Sequence, residues 1–443
     1  MATTSLIQLS PDHIGLIQTP CKADGSFEVA SRILQKNHDE NHMFWREVAG
    51  HNHITHSVLN VFALGGTPED LQRAFDDGID IQRPQPPTDP AIVVSLSNPD
   101  QFLERMGDLD QYSNFLAFFS REIEEKGWVA VVQDHVFGRS PTAEKMFAQL
   151  FEGLYHPLIH LGLGIEFAQP GIVAEGLAQA ASHDSMGTED YFLQAEREAS
   201  ISKNSSKPLI KLLKAVHDNQ DLRAAPFGFA TGPERVRNGI LSPKNQSLLV
   251  DIAAQFRVAP EDLNQGLAET INSAAYMTGA AQRPGKARKL DFFHLHTLTA
   301  SIALTVFSKL DWISQEDKVR LVEWKGRLDL VWYAASGAVE LRLDDITNYT
   351  PDRSAGYDWE TLFKAVLKTH DDGHLIKAVR ALKNGEEYSK TVNTDDEEVF
   401  PVRNNSWFKI AQMVYDSTVD RDIMEKWIWG VGFDEGWEHV PNL

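Results

Sequence analysis

The stretch DLDQYSNFLAFFSREIEEKG, residues 108–127, decides the fold class. Its apolar residues recur at spacings of three and four, as in Tyr112, Phe115 and Phe119, while carboxylates occupy the opposite side. This period is typical of an amphipathic α-helix that packs one face against a core. Similar periods recur along most of the chain, so we expect an all-α protein that resembles a large helical bundle.

Two shorter stretches predict local elements. TPEDLQRAF, which begins at Thr67, resembles the start of an N-capped helix because threonine precedes a proline at the first helical position. AIVVSLSN, residues 91–98, follows the proline-rich RPQPPTDP and is the clearest strand candidate. The sequence therefore predicts a largely helical chain with at most a minor strand.

The composition excludes several classes of partner. The 443 residues include 42 Lys and Arg against 63 Asp and Glu, a net charge of −21. Such an acidic chain is not expected to bind nucleic acid or an anionic membrane, and no apolar run is long enough to span a bilayer. The single cysteine, Cys21, excludes an intrachain disulfide. With no recognisable secretion signal, we expect a cytoplasmic protein.

Histidines are concentrated in four short patches. The chain has sixteen, and nine of them lie in HNHITHSVLNVFALGG, LYHPLIHLGLGIE, DFFHLHTLTASIAL and HDDGHLIKAVRAL. Each patch runs into an apolar helical pattern. A single such histidine is more typical of a hydrogen-bonded core residue. Since each buried imidazole without a partner costs about 1–3 kcal/mol, four patches together favour a shared partner, and a metal ion inside a helical bundle is one.

The spacing within the first two patches brings their histidines onto shared faces. His53 and His56 lie three residues apart, and His156 and His160 lie four apart. On a helix, both separations place side chains side by side. Each pair is therefore able to direct two imidazoles toward one ion.

In the other two patches, one histidine is favoured over its neighbour. His294 and His296 are two residues apart, so only one can face a given centre, and the small residues TASIA leave room beside His296. We interpret His294 as structural. In the fourth patch we favour His374 over His370, because Gly373 predicts that the helix begins after it.

Four imidazoles supply no negative charge, and the nearby carboxylates do not supply it either. Glu166, Asp371 and Asp372 do not share the helix face of the neighbouring histidine, whereas Lys377 shares that of His374. A lysine buried beside a cation has a lowered pKa. Its neutral amine is able to add carbon dioxide and become a carbamate, an anionic oxygen ligand. The ordinary alternative is a lysine that forms a salt bridge or reaches solvent.

Three motifs in this order resemble the questin-oxidase-like family of fungal polyketide pathways. They are HNHITHSVLNVFALGG, HPLIHLGLGIE and HLIKAVRAL, and the resemblance extends from about residue 40 to the C-terminus. One departure is Ser57, which stands where relatives often have a second histidine after His56. No role for that second histidine carries over to this chain.

The resemblance implies oxidative opening of the central ring of an anthraquinone, giving a benzophenone-type product of secondary metabolism. Much of the family is described as Baeyer–Villiger-type monooxygenases that use reduced nicotinamide (NADPH). The chain is especially similar to the ring-cleaving non-haem iron dioxygenases of the family, which implies Fe(II) and dioxygen. The implied ligands are His56, His160, His296, His374 and a carboxylated Lys377.

His53 and His156 lie one turn from implied ligands, so they are candidates for substrate contact and catalysis, and either can exchange roles with its neighbour. Because the ligand positions span most of the chain, we expect one catalytic domain, residues 1–443, with about 40 peripheral N-terminal residues. Two alternatives remain open: a zinc hydrolase with a carbamylated lysine, and a non-catalytic helical scaffold.

Other motifs point to no second chemistry. GLGIE, from Gly162, lacks the third glycine and the preceding strand of a dinucleotide fingerprint. The basic run QRPGKARKL, residues 282–290, is interpreted as a solvated loop, although it is able to contact an anionic substrate. The C-terminal aromatic residues are interpreted as core, although they are able to line a pocket for a flat polycycle. These are Trp427, Trp429, Phe433 and Trp437.

Overall fold

A computed structural model describes residues 2–19, 22–45, 50–203 and 205–442, with the main chain only at Met424; Cys21 lies outside the described residues. They form an all-α protein, as predicted. Only isolated bridges between extended residues occur among them. Within these ranges, no helix combines the length and the apolar character needed to cross a bilayer.

The chain divides into two compact units. The first comprises Met1–Ser185, Thr305–Ile313 and Phe363–Lys377. The second comprises Met186–Leu304, Ser314–Leu362 and Ala378–Leu443. A single catalytic domain stays a prediction.

The first unit is built from short and medium-length helices. Its α-helices are Ser26–Glu40, Ile54–Ala63, Pro68–Ile79, Pro90–Ser95, Pro99–Arg105, Tyr112–Lys126, Trp128–Val132, Pro141–Gln149, Glu152–Glu166 and Pro170–Ser182. A 3-10 turn, Leu109–Gln111, and a π-helical turn, Gln133–Phe137, complete it.

The stretch that decides the fold class forms the predicted helix, Tyr112–Lys126. Phe115 and Phe119 on its apolar face are fully buried. This helix packs against Pro170–Ser182, which in turn packs against Glu152–Glu166. The helices Tyr112–Lys126 and Pro170–Ser182 therefore support the helix that carries His156 and His160.

The predicted N-cap at Thr67 is confirmed, and the predicted strand at 91–98 is wrong. Thr67 and Asp70 form a reciprocal capping box at the start of Pro68–Ile79. Residues Pro90–Ser95 form a helix instead, because the Asp89 side chain accepts from the main-chain N–H groups of Ala91 and Ile92. A proline at the first position strengthens that start, and together these outweigh the β-branched run.

The second unit has longer central helices. Its α-helices are Thr188–Ile201, Leu209–Asp218, Gln220–Ala224, Gly232–Glu234, Pro243–Ala253, Leu263–Ala280, Phe292–Thr299, Gln315–Ala335, Asp344–Thr347 and Ser406–Thr418. Its other turns are Arg235–Ile240, Pro260–Asp262, Ile423–Glu425 and Asp434–Trp437. Three helices contain residues of both units: Ser301–Ser308, Trp359–Leu367 and His374–Ser389.

The core of the second unit surrounds the helix Gln315–Ala335. Trp324 and Trp332 on this helix are buried, and the helix packs against Leu263–Ala280 and Phe292–Thr299. The helix Phe292–Thr299, which carries His296, begins at Asp291, whose carboxylate accepts from two main-chain N–H groups. A standard side-chain cap thus fixes where the third histidine patch becomes helical.

Candidate metal centre

Two helices of the first unit hold the paired histidines. His53 is the N-cap residue of Ile54–Ala63, and His56 lies in the first turn of that helix. His156 and His160 lie on Glu152–Glu166. Because the two helices pack against each other, the predicted pairs face one another across their interface.

The pairs meet ring to ring. His53 Nε2 and His156 Nε2 are 2.7 Å apart, and their rings are parallel within 1°. His56 Nε2 and His160 Nδ1 are 3.2 Å apart. The rings of His56, His156 and His160 are no more than 2% exposed. Four imidazoles from two distant segments thus share one buried space.

Ring nitrogens of this group are close enough for a common ion. One nitrogen each from His53, His56 and His156 lie within 4.8 Å of one another. His374 has a ring nitrogen within the same distance of His53 and of His156. Two nitrogens that each lie about 2.1 Å from an ion are at most about 4.2 Å apart. Small side-chain adjustments therefore suffice for shared coordination.

Three of these rings have one nitrogen fixed by a protein acceptor. The Gly153 carbonyl lies 2.5 Å from His156 Nδ1. Glu175 Oε2 lies 2.7 Å from His160 Nε2, and the partner of His374 Nδ1, at 2.7 Å, is a carboxylate oxygen of Asp372. An acceptor on one nitrogen sets the tautomer and leaves the other nitrogen as a lone-pair donor. This pattern is typical of metal-binding imidazoles.

A left-handed turn supplies the acceptor for His156. Gly153, Leu154 and Tyr155 have φ values of 52°, 60° and 63°. Left-handed residues other than glycine cost about 1–3 kcal/mol each and occur preferentially at functional sites. A Cβ on Gly153 would overlap the His183 ring. The turn therefore requires glycine, and it aims the Gly153 carbonyl back at His156.

Glu175 is the buried anion of the centre. Its carboxylate also contacts His38 Nδ1, at 2.7 Å, and is 2% exposed. Burial opposes its ionisation, but the hydrogen bonds from His160 and His38 outweigh burial and lower the Glu175 pKa to about 2. Glu175 is therefore a carboxylate at neutral pH, and it favours a positive charge next to His160.

Lys377 is a buried cationic side chain that needs a further partner. It is 2% exposed, and its Nζ has no hydrogen bond within the part of the chain that the structure describes. Burial lowers the Lys377 pKa to about 8. Burial and then the Lys377 charge lower the pKa values of His53 and His56 well below the usual range. Neutral imidazoles around an orphaned amine are the donor set that a cation with a carboxylated lysine requires.

The remaining predicted residues lie as follows. His370 is exposed and pairs with Asp77 at 2.7 Å, and the preference for His374 stays a prediction. His294 is fully buried in the second unit. His296, also in that unit, is fully buried, and its Nδ1 lies 2.7 Å from the Phe292 carbonyl. Its role as a ligand stays a prediction, as does the choice within each histidine pair.

Sequence reasoning missed several contributors. Glu175 lies on a different helix from His160, so no periodicity within either helix links them. Asp372 was set aside because its offset does not match the helix face of His374, but it precedes the helix and reaches the ring from the N-terminal side. His183 lies outside the four patches, and its Nε2 atom is 2.8 Å from His51 Nε2.

Comparisons with known proteins bear on the whole chain. A family described as questin oxidase-like matches residues 50–382. A questin oxidase of Aspergillus terreus is 56% identical over 443 residues, covering 100% of this chain and 99% of the relative. A Baeyer-Villiger oxidase of Pestalotiopsis fici is 53% identical with the same coverage. A questin oxidase of Aspergillus fumigatus is 55% identical, with both chains fully covered. The chain therefore belongs to the questin oxidase-like family.

Proposed function

We propose that the protein is a non-haem iron dioxygenase that opens the central ring of an anthraquinone to a benzophenone-type product. The proposed ligands are His56, His160, His296, His374 and carboxylated Lys377, with His53 and His156 beside them. The observation that carries the proposal is the buried Lys377 amine, which lacks a hydrogen-bond partner among the described residues. The names of the relatives, questin oxidase and Baeyer-Villiger oxidase, support oxidative chemistry.

Bound iron would supply the activation of dioxygen, which does not otherwise react rapidly with closed-shell organic molecules. The atoms balance for a reduced substrate. A hydroanthraquinone plus one dioxygen has the composition of a hydroxybenzophenone carboxylic acid, so no further reductant is consumed in the opening step. One oxygen atom ends in the new phenol and the other in the new carboxyl group.

The protein residues handle protons and orientation. At 2.7 Å, one of the two Nε2 atoms of His53 and His156 donates and the other accepts. The lowered pKa of His53 keeps its ring neutral at pH 7. Because His156 donates its Nδ1 proton to the Gly153 carbonyl, its Nε2 carries the lone pair, which is able to accept a phenolic proton and so act as a general base. The Gly153 carbonyl holds His156 in the tautomer that this exchange needs.

Substitution of Lys377 tests the proposal. Lys377→Arg keeps the positive charge but cannot form a carbamate, so iron content and ring opening should both fall below a tenth of the wild-type values. Lys377→Met should behave in the same way. With labelled bicarbonate, a carbamate carbon signal should appear in the NMR spectrum of the wild type and not in that of Lys377→Met. Lys214→Met, at a 72% exposed side chain, is the control. Stoichiometric iron and full activity in Lys377→Arg would refute the proposal.

The second candidate function is an NADPH-dependent Baeyer–Villiger-type monooxygenase on the same substrates, favoured by the name of the Pestalotiopsis fici relative. Labelled dioxygen separates the two. The dioxygenase incorporates both labelled atoms into one product molecule. The monooxygenase incorporates one, releases the other as water, and takes the second product oxygen from hydrolysis of the lactone.

Metal analysis separates the two remaining alternatives. A zinc hydrolase with a carbamylated lysine would keep its activity without dioxygen and would contain zinc. A non-catalytic helical scaffold would contain no stoichiometric ion after purification without added metal. Iron at one equivalent per chain, together with activity that stops in the absence of dioxygen, is the result expected for the proposed dioxygenase.

A further inference from the structure

The second unit contains a cavity of about 1050 Å³ that is open to solvent. We call it the aromatic cleft. Its walls are the segment 227–230, Arg235 and Lys289, and the C-terminal segment between Arg421 and Pro441. Its volume is at the upper end of the range for small-molecule sites, about 300–1,000 Å³. The cleft brings together the two sequence features that the proposed function does not use, the basic run and the C-terminal aromatic residues.

The structure corrects the interpretation of both features. Trp427, Phe433 and Trp437 are buried as predicted, but Trp429 is 48% exposed. The basic run was expected to be solvated, yet Lys289 is only 8% exposed, because the C-terminal segment covers it. These exceptions matter for function, since they place an exposed indole and a buried cation in the same cavity.

The cleft exposes aromatic surface. Phe227 and Trp429 are two of the six large apolar side chains that are exposed among the described residues. One face of Trp429 stacks on Phe292, with ring centroids 4.0 Å apart and an angle of 22°. Phe293 contacts the indole edge-on, with ring centroids 6.0 Å apart, and because Trp429 is still 48% exposed, part of its ring surface is accessible to a further ring. Exposed aromatic groups that line one concave site typically mark a binding surface for an apolar ligand.

Arg235 holds the aromatic walls in place. Its guanidinium stacks over the Phe433 ring at 3.7 Å, donates from one terminal nitrogen to the Trp429 carbonyl at 3.0 Å, and donates from Nε to the Phe229 carbonyl at 3.3 Å. It begins a π-helical turn, Arg235–Ile240, and such turns are frequent at functional sites. The walls are therefore fixed before any ligand arrives.

The inner wall of the cleft is positively charged. Arg235 and Lys289 are each 8% exposed, and neither forms an ion pair within 4 Å among the described residues. The buried Asp291 interacts electrostatically with Arg235 but does not line the cleft. Lys289 Nζ donates only to main-chain carbonyls, at 2.7–3.1 Å. Burial and then Arg421 lower the Lys289 pKa to about 8. The lack of ion pairs among the described residues and the lowered Lys289 pKa both indicate a positively charged wall that a negative charge on a ligand would stabilise.

The acidic residues of the cleft lie at its rim. Glu425, Asp434 and Glu435 are exposed to solvent, and Asp434 forms an ion pair with Arg283. Water screens such rim charges, whereas the buried cations are screened much less. A ligand that enters the cleft therefore meets a positive potential at the inner wall.

The Phe292 ring lies between Trp429 of the cleft and the predicted iron ligand His296. Phe292, which stacks on Trp429, has its ring centroid 4.5 Å from that of His296. All three residues belong to the second unit. A ring that stacks on Trp429 is therefore separated from the His296 contact only by the indole and the Phe292 phenyl ring.

We propose that the aromatic cleft binds an aromatic anion of the size of an anthraquinone, with one ring stacked on Trp429 and the negative oxygen facing Arg235, Lys289 and Arg421. The two sources of this chemistry are the phenolate of a hydroxylated anthraquinone and the carboxylate of a ring-opened product. The identification of the ligand class rests on the proposed function; the site itself rests on the geometry of the cleft.

The donor inventory favours this ligand over a dinucleotide. The three ammonium protons of Lys289 are bonded to main-chain carbonyls, and Arg235 donates to three such carbonyls as well. A pyrophosphate needs several direct donors. A delocalised phenolate needs a stacking surface and a positive potential, which is what the cleft offers.

Equilibrium dialysis on the full-length protein tests the proposal. The probes are 2-hydroxyanthraquinone at a pH where it is ionised, its neutral methyl ether, and a hydroxybenzophenone carboxylate. Each is measured with chelator-treated and with iron-loaded protein. Trp429→Ala should weaken binding of the anthraquinones about five- to tenfold or more, in line with stacking on one aromatic ring, and Trp429→Phe should restore most of it.

Charge variants give effects of opposite sign. Arg421→Gln should raise the Kd of the anionic probes severalfold, and Glu435→Gln should lower it, with the methyl ether unaffected by either. Ile201→Ala, at a residue 70% exposed elsewhere in the unit, is the control. The tighter of the two anions identifies the occupant as substrate or product.

Three outcomes overturn the proposal: unchanged binding in Trp429→Ala, equal effects of the charge variants on anionic and neutral probes, or displacement by NADPH together with no binding of the aromatic anions. Binding that requires iron and ignores Trp429 also overturns it, while leaving the proposed dioxygenase intact. If iron and ring opening are absent but the predicted pattern of binding is found, the proposed function fails and the cleft assignment stands.

Discussion

The Glu175 carboxylate and the His160 imidazole are joined by a 2.7 Å hydrogen bond in a space where both side chains are at most 3% exposed. We expect Glu175→Gln to lower metal affinity by about ten- to a hundredfold, as is usual when the outer partner of a ligating histidine is changed. Competition with a chelator measures this. His38→Gln removes only the other hydrogen bond of Glu175 and should retain most of the affinity. Unchanged affinity in Glu175→Gln would show that His160 is not a ligand.

The left-handed turn before His156 should tolerate no Cβ at its first residue. Gly153→Ala combines a positive φ with an overlap on the His183 ring, so it should lower the free energy of unfolding by more than about 2 kcal/mol. Gly187→Ala is the matched control, since Gly187 is also left-handed, with φ 89° and ψ 16°, and has open space around its missing Cβ. It should cost about 1 kcal/mol. Denaturant titration gives both values, and equal costs would argue against the overlap.

A half-buried carboxyl in the second unit should make stability depend on pH. Burial raises the Glu269 pKa to about 7, against about 4.3 for an unfolded chain. Between these values the folded state keeps a proton that the unfolded state releases, so its contribution to stability is lost as the pH rises toward 7.

Glu269→Gln should flatten the dependence of Tm on pH between about 4.5 and 7. The amide oxygen is still able to accept from the Leu209 main-chain N–H, the 2.6 Å bond of the wild type. The exposed Glu261→Gln should keep the wild-type profile. A profile for Glu269→Gln identical to the wild type would mean that this carboxyl ionises normally in the fold.

The helix Gln315–Ala335 contains a fully buried ion pair. Lys325 Nζ and Asp329 Oδ2 are 2.5 Å apart, and both side chains are at most 1% exposed. Lys325→Met alone should cost about 3–5 kcal/mol, because a buried carboxylate is left without its cation. The double change with Asp329→Leu should recover most of that cost. A double variant as unstable as the single one would show that the charges themselves are not the cause.

Periodicity predicted those parts of the fold that depend on one helix at a time. Tyr112–Lys126 follows its apolar spacing, and the paired histidines follow separations of three and four. The strand predicted at 91–98 failed because the Asp89 cap and Pro90 start a helix there. Intrinsic β preference is weak against such local signals.

Only the parts of the candidate centre that lie within single helices were predictable from the sequence. The spacing of the histidines predicted His53, His56, His156 and His160. Glu175 contacts His160 from another helix, so no spacing within a single helix predicts that contact. Trp429 is an analogous case, because its exposure depends on how the irregular C-terminal segment folds over Lys289. Contacts between distant segments decide such details, and sequence periodicity does not encode them.

The Lys377 amine, which has no hydrogen-bond partner among the described residues, makes the history of a sample matter. With a pKa of about 8, about a tenth of these amines are uncharged at pH 7, and most are uncharged at pH 9. Because only the uncharged amine is able to add carbon dioxide, protonation would compete with carboxylation of the side chain. Alkaline, bicarbonate-rich buffers should yield a mature centre. Degassed, mildly acidic preparations should contain folded molecules in which the Lys377 side chain is still an unmodified amine.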